Sequence, residues 1–300
     1  MTRSAYKLGL FSKTYIFSVL HLCIINYKDM KKTVLVTGAS AGIGKATAIF
    51  LAQNGYQVYG AARRTDKMYE LLMHGIQPIA LDVTKEESLK ACVEQIFKEA
   101  GSIDILVNNA GFGQEGAIED ILMEDARYQF EVNVFGAMRL AQLVMPKMRE
   151  NNYGKIINIS SVGGKIAFPL GGWYHASKFA LEALSDSMRN EVREFGIDII
   201  VVEPGATRSE WGNVAIDILL KVSGHTAYKE LTAKTHNLFT RLSKDVAEPI
   251  IIAKLVKKGI EAKKPTARYT TSQMASSLLL FLKRLLSDKL MDKLIMSQIK

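Results

Sequence analysis

Thr33-Val34-Leu35-Val36-Thr37-Gly38-Ala39-Ser40-Ala41-Gly42-Ile43-Gly44 passes within twelve residues from an apolar run, through three glycines, into a helical pattern. The β-branched residues at 33–37 read as a buried strand, and Ile43–Gln53 repeats its apolar positions with the helical period. A strand that empties through glycines into a helix is a diphosphate site on physical grounds. Glycine permits the tight turn and close backbone approach, while the helix N-terminus supplies free N–H groups and the positive end of a dipole. The spacing is G-x-x-x-G-x-G rather than G-x-G-x-x-G.

Outward from this turn the chain alternates. Further strands are predicted at Gln57–Ala61, Pro78–Leu81, Ile103–Val107, Lys155–Ile159 and Asp198–Val202, with helices at Glu86–Glu99, Asp125–Arg149 and Tyr174–Phe195 between them. Continuous apolar strands separated by helices imply an α/β fold, a doubly wound Rossmann-type parallel sheet flanked by helices. No linker divides residues 30–271, so they read as one domain. The stretch Trp211–Lys244 breaks the alternation; it is read as a substrate-loop insertion, about 206–244, at the strand ends where ligands bind in such folds.

The two ends read differently. Residues 1–29 are expected to be an extension outside the fold, with an apolar run at Tyr15–Ile25 too short to cross a bilayer. A membrane-surface anchor is the functional alternative. Residues 272–300 are expected to form a C-terminal amphipathic helix, with Leu278, Leu282, Leu286, Leu290 and Leu294 at every fourth position and Lys283, Arg284, Lys289 and Lys293 in other directions. Such a stripe fits docking on its own domain, a peripheral membrane contact, or packing in a dimer.

Composition narrows the class. The 300 residues, 48% hydrophobic and 23% charged, exclude disorder, and two cysteines exclude a disulfide framework. A reducing, cytoplasmic setting is the default, with peripheral contact to a membrane as the variant. The net charge of +9 is concentrated at the ends: residues 1–32 carry +5, 254–300 carry +8, and the body between carries −4. No basic stripe with interleaved aromatics crosses the middle, so nucleic acid is not expected as a partner.

The end of the second strand is where the adenosine ribose would be read, and an acidic residue there would bind a free 2′-hydroxyl. Eighteen residues past Gly44 stands Ala62, followed by Arg63 and Arg64, with no carboxylate. A guanidinium suits a 2′-phosphate, so Arg63 favours NADP(H) over NAD(H). Tyr174 and Lys178, four apart where a helix begins, project from one face, and Ser161 lies thirteen residues ahead at a strand end.

The glycine turn Thr37–Gly44, Leu81-Asp82-Val83, Asn108-Asn109-Ala110-Gly111, Asn133, Ser161, the Tyr174/Lys178 pair and Pro204-Gly205 follow one another in a chain that resembles the short-chain dehydrogenase/reductase superfamily. That resemblance covers most of residues 31–210 and implies a role for each motif. Gly38, Ser40, Gly42, Ile43 and Gly44 would cradle the diphosphate. Asp82 and Val83 would flank the adenine, and Asn109, Ala110 and Gly111 would lie along the cofactor. Pro204 and Gly205 would shape the nicotinamide pocket, with Thr207 available to the carboxamide or phosphate. Tyr174 would be the general acid/base, Ser161 would hydrogen-bond the substrate oxygen, and Lys178 would bind the nicotinamide ribose. Asn133 would kink its helix and hold a relay water.

A cation about 4 Å from the phenol, at an effective dielectric near 20, is worth roughly 4 kcal/mol, enough to bring a tyrosine from about 10 to about 7. Tyr174 is therefore expected to titrate near neutrality beside Lys178. The reading is an NADP(H)-dependent oxidoreductase that interconverts a secondary alcohol and a carbonyl on a small hydrophobic, steroid-, retinoid- or lipid-like substrate. A homo-oligomer, dimer or tetramer, is implied by the resemblance. The alternative is a non-catalytic NADP(H)-binding sensor that kept the fold. His175 points about 100° away from Tyr174 and is read as packing or surface; Asn108 is read as structural, and Trp211 as pocket-lining or buried. The histidines and cysteines have no ligand spacing, so no metal is expected.

Overall fold

In the computed structural model, which describes residues 31–208, 210–242, 246–271 and 274–299, the apolar runs become strands. They are β1 (Thr33–Thr37), β2 (Gln57–Ala62), β3 (Gln77–Ala80), β4 (Ile105–Asn108), β5 (Gly154–Ile159) and β6 (Ile197–Glu203). The extension expected over residues 1–29 lies outside the described residues. A seventh strand, β7 (Arg268–Thr270), was not expected, being only three residues long. All pair in parallel in the order β3-β2-β1-β4-β5-β6-β7. The order reverses between β1 and β4, which opens a crevice at their carboxyl ends.

The helices are α1 (Gly42–Gln53), α2 (Glu86–Ala100), α3 (Met123–Phe130), α4 (Gly136–Glu150), α5 (Gly172–Glu191), α6 (Glu210–Ser223), α7 (Lys229–Leu242), α8 (Pro249–Glu261), α9 (Met274–Leu285) and α10 (Asp288–Gln298). Strand alternation divides the core between two faces. Val34 and Val36 point to one layer with Leu51 of α1 and Ile252 and Val256 of α8. Leu35 points to the other, with Ile96 of α2, Leu140 of α4 and Met188 of α5. Both layers are buried, which is why these strands read as unbroken apolar runs.

Two expected helices and the expected insertion take a different form. The stretch Asp125–Arg149 is not one helix: a π turn at Glu131–Phe135 separates α3 from α4, and Asn133 sits in it. The insertion folds into two helices, α6 and α7. The tail is a pair of helices rather than a single one, because Ser287 takes an extended conformation and starts α10 afresh, with Asp288 in its first turn. Met291, Ile295 and Ile299 are buried in a cluster with Ile166, against which Phe168, Leu231 and Leu238 pack. The described tail therefore docks on its own domain, while Leu278, Phe281, Leu285 and Leu290 remain exposed. Among the described residues no helix is long and apolar enough to cross a membrane.

Arg268 pins β7 in place. Its guanidinium donates to Glu182 at 3.0 Å and Asp186 at 2.7 Å, both on α5, and lies 3.3 Å from Glu203 at the end of β6. Lys165 joins the same group, 2.7 Å from Glu182.

Met291 is 1% exposed, so Met291→Ala is expected to remove about 2–5 kcal/mol of tail docking. Hydrogen exchange should then quicken over residues 274–299 and the facing α7, with the sheet unchanged. Loss of protection spread through β1–β6 would contradict a locally docked tail.

Candidate active site

The glycine turn is held by side chains from the next crossover. The Thr37 hydroxyl accepts from the backbone N–H groups of Asn109 at 3.0 Å and Ala110 at 2.9 Å. Asn109 Nδ2 returns a bond to the Thr37 carbonyl at 2.9 Å. Gly38 and Gly42 have φ of 68° and 54°, the left-handed region that glycine enters at low cost. A Cβ on Gly44 would collide with the Gly38 carbonyl and the Asn109 amide. Ala41 caps α1 without a side-chain hydrogen bond, so the first N–H groups of the helix keep their capacity for a ligand. A cradle that a single methyl would fill, at an uncapped helix N-terminus, fits the diphosphate of a dinucleotide.

At the end of β2 the two arginines diverge. Arg63 Nη1 donates to the Tyr128 hydroxyl at 2.7 Å. Arg64 is nearer the glycine turn, donating from Nη2 to Ser40 Oγ at 3.2 Å and to Glu210 of α6 at 3.2 Å. Lys67 approaches the same Glu210 carboxylate at 3.7 Å. The sequence reading chose Arg63; the geometry puts Arg64 equally well at the rim. Asp82, at the end of β3, accepts from the Thr84 backbone and hydroxyl at 3.0 and 2.8 Å. Burial works against its charge, but these bonds and the nearby Arg63 and Lys85 hold its carboxyl below the usual range. Val83 is buried in the core layer beside it.

Ser161, Tyr174 and Lys178 come together beyond β5. Ser161 starts the turn after the strand, and its Oγ accepts from the Gly163 N–H at 3.0 Å. Tyr174 lies in the first turn of α5, with Ser161 near enough to favour its ionised form. Lys178, one turn on and buried, donates from Nζ to the Ile159 carbonyl at 2.9 Å. Asn133 approaches from the π turn. Its amide accepts from Phe112 N at 3.0 Å and donates to Phe112 O at 2.9 Å and to Ser177 Oγ at 3.0 Å. Gly111 lies between Asn133 and Lys178: a Cβ there would be 3.1 Å from Asn133 Oδ1 and 3.6 Å from Lys178 Nζ.

The electrostatics reverse one expectation. Desolvation pushes the Tyr174 phenol up to about 12, Ser161 opposing and Glu115 adding to the rise. Lys178 does not supply the expected fall, because it loses its own proton well before a phenol held at about 12 would ionise. Burial itself lowers Lys178 to about 8, with Glu182 resisting.

Pro204 and Gly205 follow β6, where Pro204 O accepts from Val162 N at 3.0 Å and Gly205 N donates to Thr271 Oγ1 at 3.0 Å. Thr207 Oγ1 donates to the Gly205 carbonyl at 3.0 Å. His175 is buried with Nδ1 on the Gly163 carbonyl at 3.0 Å, and Asn108 bridges to Ala137 O and Asn158 inside the core. The Trp211 ring reaches 5.1 Å from that of Tyr174. Glu115, 5% exposed, is the site residue that sequence reasoning missed. It lies in an irregular loop without periodicity, and the only signal was an acidic residue four places beyond Gly111. Among the described residues no group of three or more His, Cys, Asp or Glu could hold a metal.

A doubly wound sheet with this turn and this Ser-Tyr-Lys grouping defines a nucleotide-binding oxidoreductase. The short chain dehydrogenase family profile matches residues 32–217, and the chain belongs to that family, whose fold binds NAD(P). It is 42% identical over 172 residues to a 3-ketodihydrosphingosine reductase of Bacteroides thetaiotaomicron, an alignment spanning 57% of this chain and 62% of that relative. It is 32% identical to an NADPH-dependent 3-dehydrocapnine reductase of Ornithobacterium rhinotracheale, over 89% of this chain and 96% of the relative. A solved short-chain dehydrogenase from Streptomyces avermitilis superposes with a TM-score of 0.75 at 32% identity, covering 88% of this chain and 94% of that one.

With Tyr174 held at about 12, the difference in 295 nm absorbance between the cofactor-free protein and Tyr174→Phe is expected to show no tyrosinate up to about pH 10, the ordinary range. A titration step near pH 7 would restore the expectation drawn from Lys178 alone.

Proposed function

We propose that the protein is an NADP(H)-dependent reductase that converts a ketone on a largely apolar substrate into a secondary alcohol, or runs the reverse. The observation that carries this reading is the meeting of Ser161, Tyr174 and Lys178 at the carboxyl ends of the strands, beside the glycine turn. When bound, the nicotinamide dinucleotide supplies or accepts the hydride. Ser161 and Tyr174 hydrogen-bond the substrate oxygen, and the Tyr174 phenol gives that oxygen its proton as negative charge develops there. A phenol that stays protonated in the free protein is ready to act as the acid in the reductive direction. Lys178 would hold the nicotinamide ribose, and Asn133 braces the loop along which the cofactor would lie.

Gly38, Ser40, Gly42, Ile43 and Gly44 would take the diphosphate, and Asp82 and Val83 the adenine. Asn109, Ala110 and Gly111 would line the cofactor's path, and Pro204, Gly205 and Thr207 the nicotinamide end. Arg63 and Arg64 would share the 2′-phosphate. An apolar substrate is supported by the Trp211 ring, whose centroid comes within 5.1 Å of that of Tyr174. Two relatives named as reductases agree with the reductive direction.

A panel of long-chain ketones followed by NADPH absorbance should give turnover. Tyr174→Phe is expected to lose about 10²–10⁴-fold in kcat, with the dissociation constant for NADPH within threefold of wild type. A kcat within tenfold of wild type would remove Tyr174 from the chemistry. Arg63→Ala and Arg64→Ala should each raise KM for NADPH by about tenfold or more, the worth of one charged hydrogen bond, and leave KM for NADH within threefold. Equal effects on both cofactors would set the 2′-phosphate reading aside.

A further inference from the structure

Glu115 is a buried carboxyl without a partner among the described residues. It is 5% exposed, and among the described residues it makes no hydrogen bond or ion pair. The other deeply buried acids among the described residues are treated differently: Glu182 and Glu203 are gathered around Arg268 and Lys165. An unpaired buried carboxylate is costly, and an apolar side chain of similar size would fill the same space at no such cost.

Its surroundings belong to the candidate active site. A Cβ on Gly113 would lie 3.1 Å from Glu115 Oε1 and 2.6 Å from the Trp211 ring, so carboxyl and indole share one corner. A Cβ on Gly171 would lie 2.9 Å from Glu115 Oε2 and 2.7 Å from His175 Nε2. Gly171 directly precedes α5, which carries Tyr174, and the Glu115 charge acts on the Tyr174 phenol. His175 does not neutralise the acid, since its Nδ1 is spent on the Gly163 carbonyl and burial lowers the imidazole's affinity for a proton. A carboxylate beside the Trp211 and Tyr174 rings, themselves 5.1 Å apart, is the donor set that an organic ammonium seeks: one counter-charge and aromatic faces.

We infer that Glu115 recognises a cationic group on the substrate, a protonated amine carried close to the carbonyl that is reduced. The inference rests on the reductase reading above and narrows it to amino-ketones. Burial holds the free carboxyl at about 8, so an arriving ammonium supplies the charge that favours its ionised form.

Two measurements on the full chain test this. With NADPH, a long-chain ketone bearing a primary amine beside the carbonyl is compared with the same ketone lacking the amine. Wild type is expected to favour the amine at least tenfold in kcat/KM. Glu115→Gln should erase that preference by bringing kcat/KM for the amino-ketone down to that of the plain ketone, and Glu115→Asp should restore part of it. No preference in wild type, or an equal loss on both ketones in Glu115→Gln, would overturn the inference and leave the reductase reading in place. Independently, calorimetry with octylamine and octanol is expected to show at least tenfold tighter binding of the amine, lost in Glu115→Gln. If this binding pattern holds and neither ketone turns over, the cation site stands and the reductase reading falls. Equal binding of amine and alcohol by wild type would refute the site whatever the kinetics show.

Discussion

The Thr37 hydroxyl takes two backbone N–H bonds, from Asn109 and Ala110, and the Asn109 amide answers with one to the Thr37 carbonyl. This small knot ties the exit of β1 to the exit of β4, the two strands between which the sheet reverses its order. Everything on the ligand side is set from it. It fixes the Gly38 turn against Asn109, so α1 leaves at the angle that aims its bare N-terminus at the crevice. It also fixes the start of the loop that runs through Gly111 to Glu115. Asn133 takes over that loop at Phe112, binding both its N–H and its carbonyl. One hydroxyl and two side-chain amides thus carry the register of the first strand to the edge of the substrate pocket.

Burial dominates the electrostatics beyond that knot. Tyr174, Lys178 and Glu115 are each pushed towards their neutral forms, two upward and one downward, and in each desolvation is the largest cause. The free protein therefore holds little charge where the chemistry takes place. Charges brought in by ligands act in a dry pocket, where a given separation is worth more than it is in water. The simple pairing of phenol and ammonium overlooked this. Spacing along a helix shows that two side chains share a face, but it does not show where each head group points. Lys178 Nζ turns to the Ile159 carbonyl, a backbone atom that no motif advertises.

What was legible in the sequence follows the same division. The six long strands and the order of motifs could be read because each rests on local signals: β-branched runs, glycines at a strand–helix junction, apolar spacing. The Ser161, Tyr174 and Lys178 grouping was legible by resemblance, since those positions are fixed by strand ends and a helix start. Features that depend on contacts between distant segments were not. β7 has three residues and owes its place to Arg268 bonding α5 and β6. The π turn at Asn133 interrupts a helix whose apolar period continues through it. Arg64 meets Ser40 and Glu210 across 24 and 146 residues, and Glu115 sits in a loop with no period to mark it.

The outermost strands have a consequence for how copies of this chain can meet. A sheet edge normally offers a row of free N–H and carbonyl groups to any passing strand. Here one edge is β3, four residues interrupted by Pro78, which has no N–H to give. The other is β7, three residues long and led by a charged arginine engaged with α5. Both ends of the sheet are poor templates for strand addition. Among the described residues, seven strands can therefore lie in one layer without either end inviting fibrous growth.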